Sequence, residues 1–139
     1  MVMDAADLFE YDEPLAPHLT AFVAALRRHA VAWPADLAET YLRLPDPDDP
    51  AEMAAWRERG IDLVAWLDVV DVAANLVRAT FGARLSGGRV HCDEMNGHNV
   101  EFLQRPTPVA FDAEGTAEEL AQATAAWFEA QLRRWVGTR

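Results

Sequence analysis

Residues 83–104, ARLSGGRVHCDEMNGHNVEFLQ, decide the fold, because short segments of strand-forming residues alternate there with turn signals. The turn signals are Ser86-Gly87-Gly88 and Asn96-Gly97. Asn-Gly is typical of a two-residue hairpin, since both central residues of a type I′ turn need a positive φ. We therefore predict a hairpin at each of these sites, and a further strand over residues 108–111.

Helix signals lie on both sides of this stretch. Thr116 and Glu119 form a capping-box sequence, which predicts the start of a last helix that runs to about residue 136. Towards the N-terminus, Pro17 predicts the start of one helix, and Asp49 with Pro50 predicts the start of another. We expect a short helix over residues 34–44 between them. The last helix would bury Ala121, Ala125, Phe128, Leu132 and Trp135.

Residues 61–81 carry apolar side chains at the spacing of one helix face, and Gly82 follows as a natural stop. We predict the longest apolar helix of the chain here. Its carboxylates, Asp62, Asp68 and Asp71, would lie on the solvated side of that helix. Their charges also argue against a membrane span.

The fold class that these elements predict is α+β, because the strands are grouped in one part of the chain and the helices in others. We predict N-terminal helices, a small antiparallel β-meander of three to four strands, and a C-terminal helix packed on the sheet. At 139 residues the chain fits a single domain over residues 1–139. Residues 1–16 form an acidic leader that need not be ordered.

The charge of the chain limits its partners. It has 23 acidic residues against 12 basic ones, all arginine, and a net charge of −11. Such a charge repels phosphate backbones and anionic membranes, so we expect neither a nucleic acid nor a membrane as partner. It attracts a basic protein. Most of the charge precedes residue 53, since residues 1–52 sum to −8 and residues 53–139 to −3.

The expected compartment is the cytoplasm. Cys92 is the only cysteine, so no internal disulfide can form and a reducing environment fits the sequence. The N-terminal residues MVMDAADLFEYDEP are acidic and have no apolar core, unlike a signal peptide. Abundant alanine and the absence of lysine are typical of a GC-rich bacterial genome.

Residues 91–98, HCDEMNGH, hold the densest group of reactive side chains. With a two-residue turn at Asn96-Gly97, His91, Asp93 and His98 share one face of the hairpin, and Cys92 lies on the other. Histidine and carboxylate side chains are common metal ligands, so these three residues are the candidates for a metal site. The spacing matches no zinc signature, and we therefore expect no bound cofactor.

A small, acidic, tryptophan-rich α+β chain resembles the immunity proteins that bacteria pair with secreted toxins. The resemblance implies a non-enzymatic inhibitor that binds a more basic protein, such as a toxin. Charged side chains would speed the association, and exposed aromatic side chains would supply affinity. The partner-binding candidates are Asp46, Asp48, Asp49, Glu10, Asp12, Glu13, Trp33 and Trp56.

Two other functions stay open at this point. A small metal-binding protein or enzyme would be centred on residues 91–98. A chaperone or adaptor would dock a partner through its sheet or its C-terminal helix. In addition, an exposed edge strand in so small a sheet would allow the chain to form a homodimer.

Overall fold

The computed structural model describes residues 8–11, 14–33 and 38–137. The elements in this part of the chain are α1 (Pro17–Ala30), β1 (Ala38–Arg43), α2 (Pro50–Arg59), β2 (Leu63–Asp71), β3 (Leu76–Ser86), β4 (Arg89–Asn96), β5 (Glu101–Phe102), β6 (Phe111–Glu114) and α3 (Ala117–Gly137). The fold is α+β, and α3 packs on the sheet, as predicted.

The strands form one antiparallel sheet in the order β1-β2-β3-β4-β5, and β6 also pairs with β4. Along its outer edge, β4 pairs with β6 near its start and with β5 near its end. Across the described residues the sheet has six strands, which is more than the three to four predicted. The additional strands come from segments that the sequence patterns assigned to helices.

The two faces of the sheet differ in their cover. Helix α3 packs against one of them, the helix-covered face, and α1 packs beside α3. Alternate residues of β2 point to this face and are buried, from Leu63 to Val69. The core there also contains Phe22 from α1 and Phe128 from α3. The opposite side, the open face, carries the remaining residues of β2, such as Trp66.

Helix α2 lies over one end of the open face. Trp56 and Arg59 line a narrow cleft there together with Val64 and Phe102 of the sheet. No residue of α2 is buried. Polar contacts hold the helix instead, because Arg43 of β1 approaches Glu52 to 2.8 Å and lies over the Trp56 ring at 5.8 Å.

The helix predicted over residues 61–81 is wrong, since this stretch forms β2, a turn and the first half of β3. In β2 every second residue is buried, which is the period of a strand. A dense run of apolar residues satisfies helical spacing and strict alternation at once, so spacing could not separate the two. The chain reverses at residues 72–75, where Asn75 adopts a φ of 52°.

The short helix predicted over residues 34–44 is also wrong. Residues 38–43 form β1, which pairs with β2 in a regular register. Thr40 and Tyr41 are good strand formers, and the ladder to β2 satisfies the backbone groups that a helix would have paired internally. Residues 34–37 lie outside the described part.

The local helix signals are confirmed. Asp49 caps α2, because its Oδ1 accepts hydrogen bonds of 3.1 Å from the backbone N–H groups of Ala51 and Glu52. At the start of α3, the N–H of Glu119 donates to Thr116 Oγ1 at 3.2 Å and the N–H of Thr116 donates to Glu119 Oε1 at 3.1 Å. These signals held because they depend only on neighbours in sequence.

The turn signals give a mixed result. Gly87 and Gly88 form the predicted tight turn, with φ values of 49° and 78°. The two-residue turn predicted at Asn96-Gly97 is wrong, because Asn96 pairs with Glu101 and residues 97–100 form a longer loop. The strand predicted at residues 108–111 begins only at Phe111.

Part of the leader belongs to the core. Leu8 and Phe9 are buried, and the guanidinium of Arg27 donates to both of their carbonyl oxygens, at 2.7 and 3.0 Å. The Phe9 ring packs between Trp33 and Phe128, with centroids 6.2 and 6.1 Å away. Residues 1–7 and 12–13 lie outside the described part. In the described helices, no segment is both long and apolar enough to cross a bilayer.

Candidate protein-binding surface

The metal-site candidates on residues 91–98 do not converge. His91 Nδ1 lies 2.8 Å from Asp112 Oδ1 on the neighbouring β6. Asp93 is buried, and its carboxylate accepts hydrogen bonds from Thr107 and from the N–H of Glu94. His98 lies exposed in the loop after β4. Among the described residues, no cluster of three or more His, Cys, Asp or Glu side chains could hold a metal ion.

Cys92 and Ser86 carry side chains that act as nucleophiles in many enzymes, but neither lies in a catalytic arrangement with the described residues. Cys92 is buried on the helix-covered face, and burial raises the pKa of its thiol to about 12, so the thiolate is absent at neutral pH. Ser86 lines a small surface cavity with His91 and Asp112, but no hydrogen bond joins Ser86 to His91 within the described part. The sequence did not indicate Asp112, because β6 is remote from β4 along the chain.

The acidic partner-binding candidates divide between structural and exposed positions. In the loop before α2, the side chain of Asp49 caps the helix, and Asp46 Oδ1 accepts a hydrogen bond from the N–H of Asp48 at 2.9 Å. Asp48 and Glu10 are exposed. Asp12 and Glu13 lie outside the described residues, so their role in binding a partner stays a prediction.

For the aromatic candidates, the structure corrects the expected exposure of Trp33 and agrees in part with that of Trp56. Trp33, which we expected to be partly exposed, is only 7% exposed, because it fills the core beside Phe9 and Phe128. Trp56 is half-buried under the Arg43 guanidinium and lines the cleft below α2. The exposed aromatic side chain beside carboxylates is Tyr41, elsewhere on the open face.

The β2–β3 hairpin extends beyond its neighbouring strands. The ladder with β1 ends at Val69 and the ladder with β4 ends at Thr80, so no described strand pairs with the outer edges of residues 70–79. This end of the hairpin exposes apolar side chains, with Val72 71% exposed, Leu76 47% and Val77 50%. An apolar patch on a projecting hairpin is typical of a surface that another protein covers.

The hairpin is held in one conformation by its own polar residues. Asp71 accepts a hydrogen bond of 3.1 Å from the N–H of Ala74 in the turn and one of 2.7 Å from Arg78. Val69 pairs with Ala79 and Val70 with Val77, so Arg78 is the extra residue of a β-bulge. Such a bulge bends its strand and increases the local twist.

Two carboxylates adjoin the hairpin on the open face. Glu39 of β1 lies directly opposite Asp68 of β2 in the ladder. Burial raises the pKa of Asp68, and the charge of Glu39 adds to the rise. Like charges directly opposite in a sheet destabilise it, and neither carboxylate forms an ion pair with a described residue.

An aromatic pair lies beside these carboxylates. The ring of Tyr41 stacks on Trp66, with centroids 5.3 Å apart and planes inclined by 18°. The Tyr41 hydroxyl donates to Glu39 at 2.6 Å, and this hydrogen bond, with burial and the charges of Glu39 and Asp68, raises the pKa of Tyr41 to about 12. The sequence missed this group, because Trp66 and Asp68 were assigned to a helix.

We name these features together the hairpin surface. It consists of the apolar tip (Val72, Leu76 and Val77), the facing carboxylates (Glu39 and Asp68) and the stacked rings (Tyr41 and Trp66). It combines apolar area at the hairpin tip with negative charge and aromatic side chains on the adjoining part of the open face. Val72 lies in the turn, and the other residues come from three strands whose register is continuous up to the bulge.

A depression lies on the helix-covered face, beside the C-terminal end of α3. It has a volume of about 640 Å³ and is open to solvent between the last turns of α3 and the loop before β6. Its wall is formed by apolar side chains, with the charged groups of Glu94, Arg133 and Arg134 around them. Arg133 is already paired with Glu129 at 3.1 Å.

Comparison with known proteins adds no relative to this picture. No protein-family model, no curated protein and no solved structure matches the chain.

Proposed function

We propose that this protein is a non-enzymatic binding protein, an inhibitor of the immunity type that neutralises a more basic protein such as a toxin in the bacterial cytoplasm. The single observation that carries the proposal is the hairpin surface, where an exposed apolar tip adjoins two facing carboxylates. An enzyme or metal-binding protein is the weaker alternative, because residues 91–98 are directed to different places.

The apolar tip supplies the affinity in this proposal. Val72, Leu76 and Val77 are exposed on a ribbon whose turn is braced by Asp71, so little conformational entropy is lost when a partner encloses them. Burial of these side chains in an apolar cleft of a partner would favour binding, because it removes apolar surface from water. A hairpin that extends beyond the sheet can reach such a cleft without a clash from the neighbouring strands.

The carboxylates supply the preference for a basic partner. Glu39 and Asp68 repel each other in the free protein, and a lysine or arginine from the partner would relieve this repulsion. The net charge of −11 adds a long-range attraction that speeds the encounter. Tyr41 and Trp66 offer flat rings beside the carboxylates, on which a guanidinium can stack.

The test is site-specific photo-crosslinking in extracts of the source organism, followed by work on the purified pair. A photoreactive residue replaces Leu76, and in a control variant it replaces Ala126, which is exposed on α3. We expect a basic protein to be linked from position 76 and not from position 126. With that protein purified, Leu76→Ser should weaken binding at least tenfold, mainly through faster dissociation.

The salt dependence of association separates the contributions. We expect the association rate constant to fall steeply between low and high ionic strength, and Asp68→Asn to lower both the rate constant and its dependence on salt. Glu58→Gln, at an exposed position of α2 outside the hairpin surface, serves as the matched control. An acidic partner, or an association rate that ignores salt, contradicts the proposal.

A second candidate function is a docking adaptor, and the depression beside α3 is the observation that favours it. A partner that binds there would contact apolar side chains and should associate at a rate that salt barely changes. In that case Val109→Ser would weaken binding, whereas Leu76→Ser would leave it intact.

A further inference from the structure

We propose that two copies of this chain pair through β1, edge to edge and antiparallel, with Tyr41 opposite Tyr41 of the second copy. The pairing would join the two sheets into one across a two-fold axis. This inference goes beyond the proposed function, because it uses the backbone edge of β1 and does not involve the basic partner.

Strand β1 has the features of a pairing edge. It pairs with β2 along one side, and no described strand pairs with its other side. Its six residues run in regular register without a bulge, and they contain neither proline nor lysine. Proteins commonly use bulges, prolines and lysines to protect an edge strand from association, and β1 has none of these.

The side chains of β1 select one register. Glu39, Tyr41 and Arg43 all lie on the open face, with Tyr41 midway between the two charges. When Tyr41 is opposite its own copy, Glu39 of each chain is opposite Arg43 of the other, which gives two cross-strand ion pairs. On the helix-covered face, Thr40 is then opposite Leu42.

The neighbouring registers lack this complementarity. With Thr40 opposite Thr40, Glu39 is opposite Tyr41 and Arg43 lies beyond the paired strand. With Leu42 opposite Leu42, Glu39 is opposite Pro45, which has no N–H to donate to the ladder. A register with Glu39 opposite Glu39 places like charges together. The charges of this edge therefore complement a second copy of the chain in one register, the one with Tyr41 opposite Tyr41.

Pairing at this edge would also change the surroundings of the facing carboxylates. Arg43 of the second copy would bring a positive charge next to Glu39, which in the single chain has the Tyr41 hydroxyl as its described hydrogen-bond partner. Arg43 side chains are 53% exposed beside Glu52, so they can reach across the axis. Asp68, Trp66 and the hairpin tip stay uncovered, whereas Glu39 and Tyr41 of the hairpin surface would take part in the pairing.

The first experiment is sedimentation velocity of the full chain over a wide concentration range. We expect a reversible dimer of twice the 15.4 kDa monomer mass. Glu39→Arg and Arg43→Glu should each weaken the dimer about tenfold or more, because each creates two repulsive cross-strand pairs. The double variant, with the two charges exchanged, should restore dimerisation.

Control variants separate the loss of strand pairing from a general effect of the changed charge. Glu58→Arg and Arg57→Glu make the same charge changes on the exposed side of α2 and should leave the dimer unaffected. Circular dichroism checks that each variant is folded. Glu39→Arg places an arginine opposite Asp68, so this variant has no reason to lose its fold.

The second experiment fixes the register. Directly opposite residues of an antiparallel pair have Cα atoms about 4.5–5.5 Å apart, which suits a disulfide. Tyr41→Cys should therefore form a disulfide-linked dimer under mild oxidation, and Glu39→Cys alone should not. Adding Arg43→Cys to Glu39→Cys should restore the crosslink. The native Cys92 is buried and does not interfere.

Three outcomes overturn the proposal. One is a chain that sediments as a monomer at all concentrations up to about 0.5 mM. Another is a dimer that neither single charge reversal weakens. The third is a dimer that fails to crosslink through position 41. None of these outcomes bears on the crosslinking of a basic partner at position 76, so the two proposals fail separately.

Discussion

The carboxyl group of Asp68 lies opposite Glu39, and burial raises its pKa above the ordinary value of 3.8. A raised pKa means that the folded protein holds this proton more tightly than the unfolded chain does. Between 3.8 and the raised value, stability therefore falls as the pH rises. At neutral pH the ionised Asp68 therefore stabilises the fold less than a protonated Asp68 would, although the Thr80 hydroxyl donates to its Oδ1 at 2.7 Å.

From this sign we predict that Asp68→Asn raises the free energy of unfolding at pH 7 by about 0.5 kcal/mol, a modest value because solvent screens a half-buried group. The gain should shrink as the pH is lowered towards 4, since wild-type Asp68 then becomes neutral as well. Urea unfolding at a series of pH values measures the difference. Asp48→Asn should show no such trend, and a loss of stability at neutral pH in Asp68→Asn would refute the prediction.

A second prediction at the scale of residues concerns the Cys92 thiol, whose pKa burial raises to about 12. We expect Cys92 to react with a thiol reagent at pH 8 only after unfolding, because the thiolate is scarce and the side chain is inaccessible. In a Val72→Cys variant the added thiol, at a position 71% exposed, should react at once. Rapid labelling of Cys92 in the native wild type would show that β4 opens locally.

The β2–β3 hairpin is the element whose apolar side chains the fold does not bury. We predict that Leu76→Ser changes the free energy of unfolding by less than about 0.5 kcal/mol, because the side chain is already half in solvent. Leu67→Ala in the same hairpin should cost about 2–5 kcal/mol, because Leu67 is fully buried under the helices. Equal losses in thermal or urea unfolding would mean that the tip packs against the molecule.

The elements divide clearly between those that the sequence predicted and those that it did not. Helices α1, α2 and α3 begin at Pro17, Pro50 and Ala117, because proline and capping residues act within one turn. Strands β1 and β2 were mistaken for helices, since their apolar residues fit both periods and their pairing partners are remote in sequence. The hairpin surface could not be predicted either, because it exists only when β1 pairs with β2.

At the scale of the whole molecule, the leader ties the helix layer to the sheet. Phe9 contacts Trp33 and Phe128, and its N–H donates to Thr40 Oγ1 of β1 at 2.9 Å. We predict that Phe9→Ala costs about 3–5 kcal/mol in the free energy of unfolding, the usual loss for a buried phenylalanine. Phe102→Ala, at a partly exposed position of β5, is the control with a smaller loss. A change below about 1 kcal/mol would mean that the leader is dispensable.

The sequence predicted how much negative charge the molecule carries, but not which surface brings the carboxylates together. The acidic leader and the loop of Asp46, Asp48 and Asp49 were the expected surface, because most of the negative charge precedes residue 53. The structure brings Glu39 from that acidic part next to Asp68 from the later part. Such a pair depends on a strand register, which a count of charges along the chain cannot contain.

Helix α2 buries none of its residues, and this affects where a protease first cleaves the native protein. An element held by a cap, one ring contact and the ion pairs Arg43–Glu52 and Arg59–Glu101 can detach and return while the sheet stays intact. Trypsin cleaves after arginine in this lysine-free chain, and Arg57 and Arg59 both lie in α2. The first nick in the native protein should therefore fall there, and its rate would report how often this helix lifts from the sheet.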